Sequence, residues 1–296
     1  MRFRNLDLNL LVALDVLLAE RNVSRAAERL NMTQSALSNA LARLRQYFDD
    51  DLLVPVGRVL KPTPRAELLV DPVRDILTRI ESSVTSAPEF DPASSDREFR
   101  IYASDYSLTT LVPRLMRFIA HHQYPLRFEF RPQTDQPHRT LERGDADLLI
   151  IPSDYASVEH PSEVVHEESF VCIADIDHPR IGDKISLDEF LHERHAVMKP
   201  PSTATSIETH AMQRHGIVRD IDVTTYSFAS LPHLVAGTQR IATVHAELGR
   251  NAAKSLPIKV LRLPFDIPKM RQSAQWHTYR TSDPALIWLR SALKQA

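Results

Sequence analysis

One stretch, Val23 to Arg43 (VSRAAERLNMTQSALSNALAR), restricts the fold more than any other part of this 296-residue chain. Ser24 can cap a first helix by accepting from the unpaired N–H groups of its opening turn. Ala26, Ala27 and Leu30 give that helix a small apolar face. Asn31-Met32 follows, and asparagine tolerates the left-handed backbone of a tight turn. Thr33 can cap a second helix, in which Leu37, Ala40, Leu41 and Leu44 recur at i, i+3, i+4 and i+7. The opposite face carries Gln34, Ser35, Ser38, Asn39, Ala42 and Arg43. Small alanines let two such helices cross closely. The pattern fits a helix-turn-helix, whose second helix offers base-reading side chains to a major groove. Gln and Asn match adenine edges, Ser several acceptors, and Arg guanine or phosphate. An ordinary helical hairpin with a solvated face fits the same stretch.

The flanks add to the pattern. Leu10, Leu11, Leu14, Leu17 and Leu18 form an apolar stripe on a preceding helix from about Asn9 to Glu20, wide enough to cover both short helices. Two strand-like runs, 52–54 and 59–61, surround Val56-Gly57-Arg58. A hairpin there is a wing with Arg58 at its tip, placed for a phosphate. After Pro62-Thr63-Pro64, the residues Ala66, Val70, Val73, Leu77, Ile80 and Val84 alternate steps of four and three. That rhythm is a coiled-coil seam and predicts a dimerising helix, with Pro72 as an obstacle. A helix packed on its own domain is the other reading. Residues 87–96 (APEFDPASSD) read as a hinge.

From Arg97 onward strands alternate with helices. Strands are expected at 99–103, 128–130, 147–151, 170–174, 195–198, 221–226, 240–244, 258–263 and 275–279. Helices are expected within 108–120, as a short helix ending over 141–144 with Gly144 as its cap, after Ser186, at 205–215, at 231–236 and from Pro284, capped by Asp283. This is an α/β body, here with two sheets. Ligands of such sheets sit beyond the carboxyl ends of the strands. The candidates there are Ser104, Asp105, Thr134, Pro152, Ser202, Thr203, Tyr226, Phe228 and His245, with Tyr106 also available for stacking. Hydroxyls and rings together suit a small, partly aromatic ligand.

Composition excludes several function classes. The longest apolar run, Leu6 to Leu18, is broken by Asp7, Asn9 and Asp15 and is too short for a bilayer. The start, MRFRNLD, has no secretory h-region, and a single cysteine, Cys172, allows no internal disulfide. A cytoplasmic protein is expected. Six glycines form no GxGxxG, P-loop or GxSxG. Among 13 histidines, His121-His122 are adjacent and His192 and His195 straddle a helix end, so neither pair makes a metal site. Neither catalysis nor a cofactor is expected. The net charge is −2, yet residues 1–66 carry ten Lys/Arg against seven Asp/Glu, a mildly basic head on an acidic body.

The ordered pieces resemble LysR-type transcriptional regulators along essentially the full length. The carriers are Val23 to Arg43, Gly57-Arg58, Pro62-Thr63-Pro64, the long helix, and Gly144-Asp145-Ala146-Asp147-Leu148. Leu6 to Asp15, Asp96 to Ile101 and Gly237 to Thr243 are similar to the subgroup of nodulation-gene activators and related aromatic-responsive regulators. Two departures are Ser35, where the family often has proline, and Pro55, where many members carry arginine.

The resemblance implies an α/β protein with an all-α-dominated winged helix-turn-helix N-terminal domain and a two-lobed, periplasmic-binding-protein-like effector domain. It implies a DNA-binding domain at 1–65, a dimerising linker helix at 66–86, the hinge at 87–96 and an effector domain at 97–296. The lobes are expected at 97–163 with 270–296, and at 164–269, with crossings near 163–167 and 267–270. The DNA-contacting residues are then Ser24, Arg25, Thr33, Gln34, Ser35, Ser38, Asn39, Arg43 and Arg58. Expected partners are double-stranded operator DNA, a small aromatic or phenolic effector, a second copy through the linker helix assembling further to a tetramer, and RNA polymerase. The rival is a two-lobed small-molecule-binding protein or enzyme that does not bind DNA.

Overall fold

The computed structural model describes residues 7–57, 59–80, 89–200 and 205–295. They fall into two compact units, one within 1–87 together with 139–145, the other within 88–138 and 146–296. Among them no helix is long and apolar enough to cross a membrane.

The first unit is built on α1 (Leu8–Glu20), α2 (Val23–Arg29) and α3 (Gln34–Phe48). Asp7 caps α1 by accepting from the Asn9 N–H at 3.0 Å. α2 begins earlier than Ser24 as a cap predicts. Its cap is Asn22, whose Oδ1 accepts from the Arg25 N–H at 3.1 Å, so Ser24 lies inside the first turn, exposed. Asn31 takes the left-handed backbone (φ 51°) and Thr33 caps α3 through the Ala36 N–H at 3.2 Å, both as expected. Leu14, Leu17, Ala26, Leu37 and Leu44 are fully buried together, and the alanines let α2 and α3 approach α1.

Strands β1 (Leu53–Val56) and β2 (Val59–Pro62) pair antiparallel, with Gly57 at the turn in a positive-φ conformation (65°) that favours glycine. Arg58 lies outside the described residues. Helix α4 (Pro64–Ile80) continues through Pro72. The missing N–H leaves the Leu68 carbonyl without its helical partner, and Leu68 is among the most exposed apolar residues, so water can serve that oxygen. The stripe that reads as a dimer seam points inward instead. Ala66 and Val73 are buried, and Val70 and Leu77 pack on the same core as α1. Arg74 donates to Asp15 at 2.6 Å and fastens α4 to α1. The outward apolar residues of α4 are Leu68 and Ile76. Val84 lies outside the described residues.

The second unit contains β3 (Glu98–Ala103), α5 (Asp105–Thr109), α6 (Leu111–His121) and β4 (Arg127–Pro132). Then come α7 (Pro137–Glu142), which spans the boundary between the units, β5 (Leu148–Pro152), β6 (Ser162–Glu168) and β7 (Phe170–Asp175). They are followed by α8 (Leu187–His192), β8 (Arg194–Met198), α9 (Ile207–Arg214), β9 (Asp220–Thr225), α10 (Leu231–Val235) and β10 (Arg240–His245). Last are α11 (Ala246–Ala252), β11 (Ile258–Arg262), β12 (Met270–Gln275) and α12 (Pro284–Gln295). Two five-stranded sheets result, ordered β4-β3-β5-β12-β6 and β11-β7-β10-β8-β9. β3 runs parallel to β4 and β5, whereas β12 runs antiparallel to β5 and β6.

Three elements differ from expectation. β6 stands where no strand is expected and a crossing between lobes is, and α11 follows β10 with no helical signal of its own. β12 occupies 270–275 rather than 275–279, where a single turn at Thr278–Arg280 stands instead. β6 carries acids and a histidine, so it shows no apolar alternation. β12 is polar yet buried: Gln275 is fully enclosed because its amide donates to the Ser157 and His160 carbonyls at 2.7 and 3.1 Å. Because β6 stays paired to β12 up to Glu168, the first sheet keeps residues 164–168, and the chain crosses at Ser169 rather than near 163–167. The return crossing lies between Arg262 and Met270.

An ion network joins the beginning and end of the first lobe. Arg97 grips Asp283 with two bonds of 3.0 Å, and Arg280 adds a third at 3.0 Å. Asp283 also caps α12 through the Ala285 N–H at 3.0 Å, as expected. Burial pushes the Asp283 carboxyl up, but Arg97 and Arg280 overcome it and hold the group below the usual carboxylate range. A depressed carboxylate stabilises the fold above its unfolded pKa of about 3.9 and loses that contribution as pH falls through the folded value. Asp283→Asn should lower stability by about 1–3 kcal/mol at pH 7. In urea titrations its penalty should begin to shrink as pH falls to about 4, where the unfolded chain's carboxylate takes up its proton, and should keep shrinking to the lower pH at which the folded carboxylate does.

Candidate DNA interface and inter-lobe contacts

Exposure on α3 divides cleanly. Gln34, Ser35, Ser38, Asn39 and Arg43 are exposed, and Leu37, Ala40, Leu41 and Leu44 are buried. The face read from periodicity is therefore the face presented to solvent. Thr33 is exposed at the cap, and its hydroxyl lies 3.1 Å from the Ser35 hydroxyl, which ties Ser35 to the helix start. Arg25 donates to the Glu20 carbonyl at 2.8 Å, and Arg29 pairs with the Glu20 carboxylate at 3.0 Å. Arg43 stands 3.5 Å from Asp7, and its side chain is 61% exposed. Exposed pairs of this kind are worth little, so Arg43 can exchange Asp7 for a phosphate.

One residue of this region escapes sequence reading. Arg45 donates through Nε to the Asp51 carbonyl and through Nη2 to the Leu53 carbonyl, each at 2.8 Å. It bolts α3 to the first strand of the wing. In the sequence it is merely a cation in a last helical turn, because its partners are backbone oxygens.

In the second unit the expected ligand residues fall in different settings. Asp105 and Ser104 are structural. Asp105 accepts from the Ser227 hydroxyl at 2.6 Å and the Ala229 N–H at 2.9 Å, bridging the two lobes. Ser104 caps α5 by accepting from the Ser107 N–H at 3.3 Å. Phe228 and His245 are buried in an aromatic nest, where Tyr106 stacks on His245 at 3.8 Å between centroids and Phe228 meets it edge-on at 4.7 Å. Tyr226 is 82% exposed and takes no part. Thr134 is exposed, and Pro152 is half-buried opposite Gln272. Ser202 and Thr203 lie outside the described residues.

Burial sets the protonation of the nest. It drives the His245 imidazole down to about 3, so the ring is neutral at physiological pH. Burial, reinforced by the charge of Glu168, pushes the Tyr106 phenol well above its ordinary value. Arg114 of α6 pairs with Glu247 of α11, a second bridge between the lobes. Gln272 donates to the Ser107 hydroxyl at 2.6 Å beneath the nest. Arg114, Glu247 and Gln272 carry no sequence signal of these roles. Arg114 and Glu247 are 133 positions apart, and only the fold brings them together.

His192 contacts the Asp188 carbonyl at 2.8 Å, and His195, pushed down to about 4 mainly by burial, contacts the Phe190 carbonyl at 2.8 Å. Cys172 is fully buried in β7, which pushes its thiol up and leaves it inert.

Residues 8–67 match the model of the bacterial regulatory helix-turn-helix protein of the lysR family, and residues 92–296 match the LysR substrate binding domain. The chain is 38% identical to nodulation protein D 1 of Mesorhizobium japonicum over 296 residues, which is all of this chain and 94% of that protein. Its fold is similar to that of a probable transcriptional regulator from Pseudomonas aeruginosa (TM-score 0.70, 30% identity, 99% of this chain and 97% of that one). It is also similar in fold to full-length CbnR in complex with its target DNA (TM-score 0.61, 14% identity, 98% and 99%).

Asp105→Ala removes the acceptor of two bonds that cross between the lobes. It should cost about 1–3 kcal/mol in equilibrium denaturation. Asp105→Asn, which keeps one carbonyl oxygen, should recover part of that stability.

Proposed function

The chain belongs to the lysR family of bacterial regulatory helix-turn-helix proteins, and from that premise we propose that it is a ligand-responsive transcriptional regulator whose effector is a small aromatic or phenolic molecule. The observation that carries the DNA-binding part is the division of α3 into a buried leucine face and an exposed Gln34-Ser38-Asn39 face beside a wing. Gln34, Ser35, Ser38 and Asn39 read base edges in this proposal. Ser24, Arg25, Thr33, Arg43 and Arg58 approach the backbone, where they fix position rather than sequence. The effector occupies the cleft between the lobes, near Ser104, Asp105, Thr134, Pro152, Ser202, Thr203, Phe228 and His245. Tyr226 serves only at the rim.

The domain plan follows the sequence reading, with the first lobe extended to Glu168. A second copy docks on the outward face of α4, at Leu68 and Ile76, in place of the inward stripe. Assembly to a tetramer, a cytoplasmic location and contact with RNA polymerase belong to the same proposal. Effector binding acts by population shift, so it must favour one arrangement of the assembly over another.

The double substitution Ser38→Ala with Asn39→Ala tests the reading face. In electrophoretic mobility shifts on an operator fragment found by footprinting, it should weaken specific binding by about 1–3 kcal/mol for each base edge that is no longer read. The circular dichroism spectrum should not change, since both side chains are exposed. Unchanged operator affinity would refute the assignment.

A further inference from the structure

We propose that His166, Glu168 and Glu247 form a binding site for one divalent transition-metal ion that clasps the two lobes together.

The three side chains converge from both lobes. His166 and Glu168 stand on β6 of the first sheet, and Glu247 stands in the first turn of α11 in the second lobe. One nitrogen and two carboxylate oxygens lie within 4.8 Å of one another. His166 Nε2 is 3.7 Å from Glu168 Oε2 and 3.8 Å from Glu247 Oε2. Both distances exceed a hydrogen bond, which needs about 2.7–3.2 Å. They approach the edges of a coordination tetrahedron instead. Metal–nitrogen and metal–oxygen bonds of about 2.0–2.2 Å give ligand-to-ligand edges of about 3.3–3.6 Å. A small movement of side chains closes the remainder.

The polar contacts around the three residues fit ligands held by an outer shell. Glu168 accepts from the Ser169 N–H at 3.0 Å and the Glu247 N–H at 3.1 Å, and Glu247 accepts from Arg114. Carboxylate ligands are commonly oriented by such bonds. The charge count also points to a cation. Two largely buried carboxylates face one guanidinium, and buried carboxylates are ordinarily paired or coordinate a metal. Orphaned atoms add to the case. Nε2 of His166 is buried with no hydrogen-bond partner among the described residues. So are the Tyr106 hydroxyl and His245 Nδ1, on residues only 1% and 2% exposed.

One imidazole with two carboxylates suits zinc or another borderline divalent ion better than magnesium or calcium, which take oxygen alone. Three protein ligands leave a fourth position for water. Because the ligands come from both lobes, the bound ion resists their separation. This inference stands apart from DNA recognition, and its test does not use DNA.

The test is calorimetric titration of the full-length, chelator-treated protein with Zn2+. One ion per chain should bind. His166→Ala and Glu247→Gln should each weaken that binding by at least an order of magnitude. His121→Ala with His122→Ala, a surface pair, should leave it unchanged. Cobalt loading should give visible absorption bands that His166→Ala abolishes. Glu247→Gln keeps its size and can still accept from Arg114, so it separates removal of a ligand from misfolding, with circular dichroism as the check on both variants. Absence of stoichiometric uptake by the wild-type chain, or uptake that survives both substitutions, overturns the proposal.

Discussion

Burial of Leu37, Leu41 and Leu44 against α1 decides the orientation of everything at the DNA end. A helix with one apolar face has one low-energy way to sit on an apolar bed. Once those leucines are down, Gln34, Ser38 and Asn39 must be up. The remaining parts of the unit trim that arrangement. Thr33 fixes where α3 begins, Arg45 fixes where the wing leaves it, and α4 closes the bed from behind through Ala66 and Val73. Gln34, Ser38 and Asn39 are exposed, so their side chains take no part in the buried core of the unit.

The effector end follows a different logic. Each lobe has its own apolar core, and what passes between lobes is mainly polar or aromatic: Asp105 to Ser227 and Ala229, Arg114 to Glu247, Tyr106 on His245. Such contacts are directional and individually modest. A hinge held this way can settle in more than one position at low cost, which is what a ligand needs if it is to shift a population. The same polarity gathers charge at the crossing strand β6, where a cation would add a directional bond across the junction.

Helix α4 shows how far periodicity carries. Its apolar repeat is legible, and the helix stands where the repeat places it. The partner is not legible, because Ala66, Val70, Val73 and Leu77 satisfy the geometry of a neighbouring chain and of a neighbouring helix equally well. The structure gives that face to α1 and turns Leu68 and Ile76 outward. A similar gap explains β6 and β12. Strands whose side chains are paired polar groups carry no alternation of apolar residues, so nothing in the pattern marks Gln272, Ser273 and Gln275 as the buried residues they are.

The sequence by itself determined the local elements, the helix-turn-helix face, the wing and the strand–helix alternation of an α/β body, since each rests on spacings of a few residues. Asn31 and Thr33 were readable for the same reason, while the α2 cap moved to Asn22 because two nearby residues could both serve. Only the tertiary structure decided which face of α4 is turned inside, where the chain crosses between lobes, and that Arg114, His166 and Glu247 meet. Those outcomes depend on residues far apart in the chain. A polar side chain carries no periodic mark of its distant partner, so the backbone path alone determines whom it meets.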